Sequence, residues 1–565
     1  MTAEVRWPRP AAGLEPAATA LLSWLTDPAA PRLCVVTGGP DSGKSLLLAW
    51  LAANGTRPEA PPDRAVHAFV PLQGLGTHAT VWTLAEQLHT AARTPAQLTA
   101  AVTADGRRTV VVLPSLHEAQ DPAEVAALVL ALAESDGVRV VAEARSGTPL
   151  LDAVREVPAA VMDLDDPRWR DAVRNARWRE HEASALPPRR SSRPTAPFRS
   201  DDPEAVCAVD PYEVTAVYEA DPDPRGGLRT AWLRAGRALL REQSPAERAL
   251  VLLCALGDDA DPRHAPALER LAEGASWRPL WRRVTGDALP PWPGPALALT
   301  AGSGPLVGHA VVGDHEGVLR VISLTDGSPT GRFARRIASQ PASVVSLRDG
   351  TVWALDVNGV LHAQRWEPTR RRATGLAALL EADATHPTDA AAARLERHLT
   401  SVPATTLAAV GALAGVGHED GTVGLSLLEP DKDEVAPEQV VLHTGPVTAL
   451  ALLPLGDDRP AGCPPALLYS GGADGQVRAW APGAEVLATP VARRPCPVTA
   501  LTVILTPSGP APVIAWGDGR IDLLHPSSDG DRSLHLGAEV NAMASTPDGA
   551  LLVGTDQALL CLVPR

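Results

Sequence analysis

The chain has 565 residues, 45% of them apolar and 21% charged, with a formal net charge of −15. At about 100–200 residues per domain this length predicts three to four domains and excludes a small secreted module, and the composition suits a folded, loop-rich chain. Net acidity argues against nucleic acid or anionic membrane as partners, because phosphate binding rests on clustered Lys and Arg; with 14 Trp but only 3 Phe and 3 Tyr there is also no Phe/Tyr-rich surface for stacking unpaired bases.

The opening residues MTAEVRWPRP lack the apolar core of a signal peptide, and no apolar run reaches the roughly 18 residues of a membrane span. The six cysteines, at 34, 207, 254, 463, 496 and 561, form no CxxC pair. Together these predict a cytoplasmic protein with buried, reduced thiols. Of the 51 basic residues all but Lys44 and Lys432 are Arg, so a retained Lys asks for a reason.

Lys44 stands in Gly38-Gly39-Pro40-Asp41-Ser42-Gly43-Lys44-Ser45, a full match to GxxxxGK[ST]. The β-prone run 33–37 precedes it and the helical run 46–51, opening at Leu46, follows. Strand, glycine loop and helix are the context a phosphate-binding loop requires. Backbone N–H groups of Gly38, Gly39, Asp41, Ser42, Gly43 and Leu46 are candidates to face phosphate, with the helix dipole behind them. Lys44 would reach the β- and γ-phosphates of ATP or GTP, and the Ser45 hydroxyl would ligate Mg2+.

An alternating pattern continues: a strand at 66–70, a helix at 81–92, a strand at 109–113, a helix at 122–134, and strands at 138–142 and 159–164. Alternation of this kind predicts a parallel sheet. A P-loop hydrolase usually carries an Asp at the end of the strand here occupied by 109–113. This chain has Pro114-Ser115-Leu116-His117-Glu118 instead, so Mg2+ positioning and turnover are in doubt. Glu118 is the candidate catalytic, water-orienting carboxylate and Asp41 a second nearby acid; both also read as solvated loop acids. Arg145, past the fourth strand, is a candidate γ-phosphate sensor or a solvated strand-end Arg.

Asp166-Pro167 resembles an N-cap with Pro at the first helical position and predicts a helix to about 182. The Pro-, Ser- and Arg-rich stretch 185–197 reads as a linker. Asp210-Pro211-Tyr212-Glu213 and Ser244-Pro245-Ala246-Glu247 are helix starts, and Leu228, Trp232, Ala235 and Leu239 share an apolar face. Residues 206–273 are expected to form a small helical bundle.

From about 293 the pattern becomes short strands separated by glycine turns, clearest at 313–324, 354–366, 417–428, 471–480 and 516–524, and weaker at 554–563. The turn glycines Gly317, Gly359, Gly421, Gly475 and Gly519 are 42, 62, 54 and 44 residues apart, and Gln557 takes the equivalent place 38 further on. A base period near 40 is that of propeller blades. The long gap holds a helix-like insertion at 373–400, which leaves six blades, with seven as the alternative. The last blade lacks an outer strand, for which 277–284 is the candidate. His315-Glu316 and His418-Glu419 read as turn chemistry, and no nucleophile elbow or zinc helix occurs.

This order of parts resembles a bacterial, specifically actinobacterial, STAND-class P-loop NTPase, a signal-transduction ATPase with a C-terminal WD-type β-propeller. The resemblance is carried by residues 38–45, the degenerate second motif at 114–118, the helical segment and the repeats. It implies a slow nucleotide switch binding ATP, or GTP, with Mg2+, and repeats that bind a protein partner. The chain departs from the family at Pro114 and in lacking the Trp-Asp dipeptide of WD repeats. With about 32 residues before the first strand, the output is expected to pass through a separate effector in trans.

The expectation is thus a multidomain α/β plus β protein: an NTPase domain at 1–165, a helix and linker at 166–205, a helical domain with a latch strand at 206–290, and the propeller at 291–565. Hydrolysis is expected to be slow or absent, weak ATPase or GTPase activity being left open. The alternative is a nucleotide-independent propeller scaffold with a relic NTPase domain.

Overall fold

The computed structural model describes residues 7–147, 151, 157–181, 197–285, 294–366, 388, 391–393, 395–396, 402–428, 438–455, 466–525 and 531–565. Two compact units divide the chain: Met1–Arg225 with Leu239–Glu242, and Gly226–Ala238 with Gln243–Arg565.

The first unit is built on a five-stranded parallel sheet. Its strands are β1 (Leu33–Thr37), β2 (Ala68–Phe69), β3 (Thr109–Leu113), β4 (Val138–Glu143) and β5 (Ala159–Asp163), in the order β2-β3-β4-β1-β5. Every residue of β1, β3 and β4 is buried, as expected of apolar runs covered on both faces. Helices α1 (Glu15–Thr26), α2 (Lys44–Gly55), α3 (Thr77–Gln87), α4 (Pro95–Asp105) and α5 (Pro122–Glu134) accompany the sheet. Leu21 and Leu25 of α1 and Leu47 and Leu51 of α2 share one core with Val36 and Val112. Asp121 accepts from the Glu124 N–H, and Pro122 occupies the first turn, so α5 begins where the sequence signals it.

Two expectations for this unit need correction. The helix expected at 81–92 is α3, four residues earlier, and α4 was not anticipated: only Leu98 and Val102 of it are buried, too thin an apolar stripe to be read as periodicity. Asp166 caps only a 3-10 turn, Pro167–Trp169. The helix starts later, as α6 (Ala172–His181), because Asp171 accepts from the N–H groups of both Val173 and Arg174 and is the better cap. The linker stretch 185–197 lies outside the described residues except for Pro197. Beyond it come α7 (Pro203–Ala208) and α8 (Pro211–Ala220), the latter capped by Asp210. Glu219 of α8 accepts from the His78 N–H at 2.6 Å, in the first turn of α3.

The second unit opens with α9 (Leu228–Ala235), α10 (Pro245–Ala255) and α11 (His264–Leu271), packed in sequence. Leu228, Trp232 and Ala235 are fully buried. Ser244 caps α10 by accepting from Glu247 N–H, while the Glu247 carboxylate takes the Ser276 N–H at 2.7 Å instead of turning back to the cap. The strand β6 (Trp277–Val284) follows.

Six antiparallel sheets then form a β-propeller. Blade one is β7 (Ala296–Ala301), β8 (His309–Asp314), β9 (Leu319–Ser323) and β10 (Pro329–Arg332). Blade two is β11 (Pro341–Ser346), β12 (Thr351–Asp356) and β13 (Leu361–Arg365). Blade three is β14 (Ala404–Val410), β15 (Leu413–His418), β16 (Thr422–Leu427) and β17 (Glu438–Val441), and blade four is β18 (Val447–Pro454), β19 (Ala466–Gly472), β20 (Gln476–Trp480) and β21 (Ala492–Arg493). Blade five is β22 (Val498–Thr506), β23 (Gly509–Trp516), β24 (Arg520–Leu523) and β25 (Arg532–His535). Blade six is β26 (Ala542–Ser545), β27 (Leu551–Gly554) and β28 (Ala558–Pro564), with β6 antiparallel to β28 as its outer strand. The ring is thereby closed by a strand that precedes it in sequence.

The first strands of the blades, β7, β11, β14, β18, β22 and β26, each contact the next and β26 contacts β7. The count is therefore six, and the alternative of seven is set aside. Of the insertion at 373–400 only 388, 391–393 and 395–396 are described. They are helical, and Ala391, Ala392 and Leu395 are buried in a cluster with Trp353 and Leu407. At the turns, Asp314 Oδ1 accepts from Glu316 and Val318 N–H, and Asp356 Oδ1 from Asn358 and Val360 N–H, so one carboxylate closes each hairpin. The turn glycines earn their place: Gly475 sits at φ +70°, and a Cβ there would meet the Arg494 carbonyl at 2.1 Å.

Candidate functional site

β1 delivers the chain to a loop whose backbone is left-handed at three places, Gly38 (φ +140°), Asp41 (φ +56°) and Gly43 (φ +89°). A Cβ on Gly43 would lie 3.0 Å from Leu14 Cδ1, so the loop turns into α2 against a buried leucine only if this residue is glycine. No side chain caps α2, which leaves its first-turn N–H groups directed at whatever lies over the loop.

Lys44 and Ser42 are buried, at 6% and 4% exposure. The Lys44 ammonium donates to the carbonyls of Gly38 (2.9 Å) and Gly39 (2.7 Å) and to Ser42 Oγ (3.1 Å). It is thus folded back over the loop. Asp165, just beyond β5, accepts from the Gly39 N–H at 2.7 Å.

The residue sequence reasoning missed is Glu143, the last of β4. It is 2% exposed, and its Oε2 and Oε1 lie 3.0 and 3.2 Å from Ser45 Oγ, which donates to them. Ser115, left-handed at φ +59°, donates its N–H to Oε2 at 3.3 Å. Burial pushes the Glu143 carboxyl up; the Ser45 hydroxyl, the Lys44 ammonium and the Ser115 N–H pull it back, and Glu118 adds to the rise. The only signal in the sequence was a carboxylate ending the apolar run of β4. Its meaning depends on strand order: β4 lies between β1 and β3, so its C-terminal end adjoins the loop, while β3 is a further strand spacing away, about 4.8 Å.

The other sequence candidates are placed as follows. Pro114 ends β3, and its carbonyl accepts from Leu72 N–H. Glu118 closes a 3-10 turn, Leu116–Glu118, with its carboxylate 3.5 Å from His117 Nε2, and it is close enough to Glu143 to influence its charge. Asp41 is exposed at the loop, Ser45 is exposed beside Glu143, and Leu46 packs against the core below. Arg145 is exposed two residues past β4, and its side chain makes no hydrogen bond or ion pair among the described residues.

The donor set fits the groups the motif implies. A serine hydroxyl and a buried carboxylate are hard oxygen donors suited to Mg2+, and the ammonium with its circle of N–H groups suits phosphate. Among the described residues no three or more His, Cys, Asp or Glu converge.

Elsewhere the chemistry is structural. Blade four brings together Ser470, His443 and Asp474, with His443 Nε2 2.9 Å from Ser470 Oγ and Nδ1 3.0 Å from Asp474 Oδ1. Ser470 is fully buried, so this chain of hydrogen bonds staples a hairpin and offers no nucleophile to a substrate. The propeller's axial cavity, about 280 Å3, is lined by small side chains such as Thr300, Ser343, Thr406 and Thr448. Five cysteines are free and buried, and burial raises the thiols of Cys34 and Cys254 to about 12, which makes them inert at neutral pH. Cys463 lies outside the described residues. No helix among the described residues is long and apolar enough to cross a membrane.

No family model matches the chain, and no curated protein does. Among solved structures it is similar to the computationally designed Ika8 protein, at 18% identity, over 48% of this chain and 71% of that one, with a TM-score of 0.27. A likeness of that size carries no argument about fold or function.

Proposed function

We propose that the first unit binds a nucleoside triphosphate, ATP or GTP, with Mg2+, and that the chain acts as a signalling switch or scaffold whose propeller docks a protein partner. The observation that carries this reading is the loop itself: a buried Lys44, left-handed glycines and an uncapped α2 follow a central parallel strand. The Lys44 ammonium donates to two carbonyls and a hydroxyl, and a phosphate seated over the loop would add negative charge beside it. Magnesium would supply charge neutralisation on the β- and γ-phosphates. In this reading the chain is a member of the STAND-class switches, and its output passes to a separate effector. With Pro114 at the end of β3, turnover is slow or absent, and Glu118, paired with His117, is a weak candidate for orienting water.

The propeller contributes a rigid, loop-built surface of the kind on which proteins dock. A second reading, a nucleotide-independent scaffold, is favoured by Pro114 and by the carbonyls that already occupy the Lys44 ammonium. One experiment separates the two: a fluorescence titration of the full chain with Mg-ATP and Mg-GTP beside Lys44→Ala. The switch reading expects saturable binding that the variant weakens roughly 100-fold, the equivalent of about 2–3 kcal/mol for lost charged hydrogen bonds. No binding at millimolar nucleotide would leave the scaffold.

A further inference from the structure

We infer that Glu143, from the strand between β1 and β3, supplies the carboxylate that a nucleotide-bound Mg2+ requires, in place of the acid that β3 lacks. The inference rests on the nucleotide reading and adds the residue that would hold its cation.

Three observations converge on it. Both Glu143 carboxylate oxygens lie within hydrogen-bond reach of Ser45 Oγ, the hydroxyl that the GxxxxGK[ST] motif assigns to the metal, so the two donors already share one point in space. The carboxylate is buried, yet its hydrogen-bond partners are a hydroxyl and a backbone N–H, and no cationic side chain is paired with it directly. The Lys44 ammonium is near enough to favour its charge without pairing with it, and an acid held out of water in this way gains further from a cation set directly against it. Strand order gives the third: with β4 between β1 and β3, an acid at the end of β4 adjoins the loop directly. Glu118, engaged with His117 on a 3-10 turn, has no comparable contact with Ser45 among the described residues. The Ser115 N–H donates to Oε2 as well and orients the carboxylate, as outer partners of metal-holding groups commonly do.

The test measures the Kd of a methylanthraniloyl-labelled ATP for the full chain in excess Mg2+ and again in EDTA, for wild type, Glu143→Gln and Glu143→Asp. Gln keeps the shape and a hydrogen bond to Ser45 but not the charge; Asp keeps the charge and shortens the reach. Wild type is expected to bind more tightly with Mg2+. Glu143→Gln should keep its affinity in EDTA within about twofold and lose at least about 10- to 100-fold of the Mg2+ gain, the range seen when even the outer partners of metal ligands are altered. Retained EDTA binding shows that the variant is folded, and a merely structural role for Glu143 would shift both affinities together. If Glu143→Gln does not fold, Glu143→Asp carries the test, with a selective loss of the Mg2+ gain again expected. A Mg2+ gain unchanged in the folded variant, or absent from wild type that binds nucleotide, overturns this inference and leaves the nucleotide reading standing. Wild type that binds in neither condition overturns both.

Discussion

The parallel sheet and the propeller use backbone and side chains in opposite ways. In the first unit, strands distant in sequence end at one place, so Lys44, Ser45, Ser115, Glu143 and Asp165 meet over a single loop. In the propeller each blade solves its own problem locally: an Asp or Thr closes the hairpin beside it, as Asp314, Asp356 and Thr555 do for the N–H groups two to four residues on. The sheet therefore gathers polar side chains at one point. The propeller distributes its packing over six similar sheets. Polar residues follow suit: in the sheet unit a buried Lys and Glu hold no structural hairpin, whereas the buried His443 of blade four does little else.

The contrast can be broken most forcefully at Trp353. It is fully buried in β12, within the cluster that joins blade two to the inserted helix and blade three. Trp353→Ala should destabilise the propeller by about 3–5 kcal/mol in urea denaturation. A closed ring predicts that the loss appears as one earlier transition; a blade that unfolds by itself, ahead of the rest, would show the blades to be less interdependent than their contacts imply. A smaller effect is expected at the turn. Gly475→Ala forces a Cβ toward the Arg494 carbonyl in a left-handed backbone, for a loss of about 1–3 kcal/mol, while nucleotide affinity is unchanged.

The smallest effect sharpens the same comparison through pH. Burial lowers the pKa of His443 below its ordinary 6.5; Arg478 adds to that, and the Asp474 carboxylate opposes it without prevailing. The unfolded chain then takes up the proton first as pH falls. The stability His443 contributes is present in full above about pH 6.5 and is lost as pH drops through its lower folded value. His443→Asn should flatten that part of the propeller's stability profile. His67 in the sheet unit is lowered too, by burial and by Arg108 and Arg107, and carries the same sign, so the variant is needed to separate the units. A profile unaltered in His443→Asn would remove the staple from the account.

Much of this molecule was legible from residues alone because its signals are local. A glycine that must be left-handed, a carboxylate two residues before the N–H it accepts, and a Pro after an N-cap act within one turn of chain. Hence β1, β3, α5 and the blade hairpins fall where they were expected, and the repeat spacing sufficed for a propeller with six blades as the first choice. Where two local signals compete, the outcome was not legible: Asp166 and Asp171 are both good caps, and only the number of N–H groups each can reach in the folded chain decided for the second. Glu143 lay further out of reach. Its place beside Ser45 follows from which strands are neighbours, and neighbourhood in a parallel sheet is set by crossover packing across the 98 residues between Ser45 and Glu143, which no local pattern records.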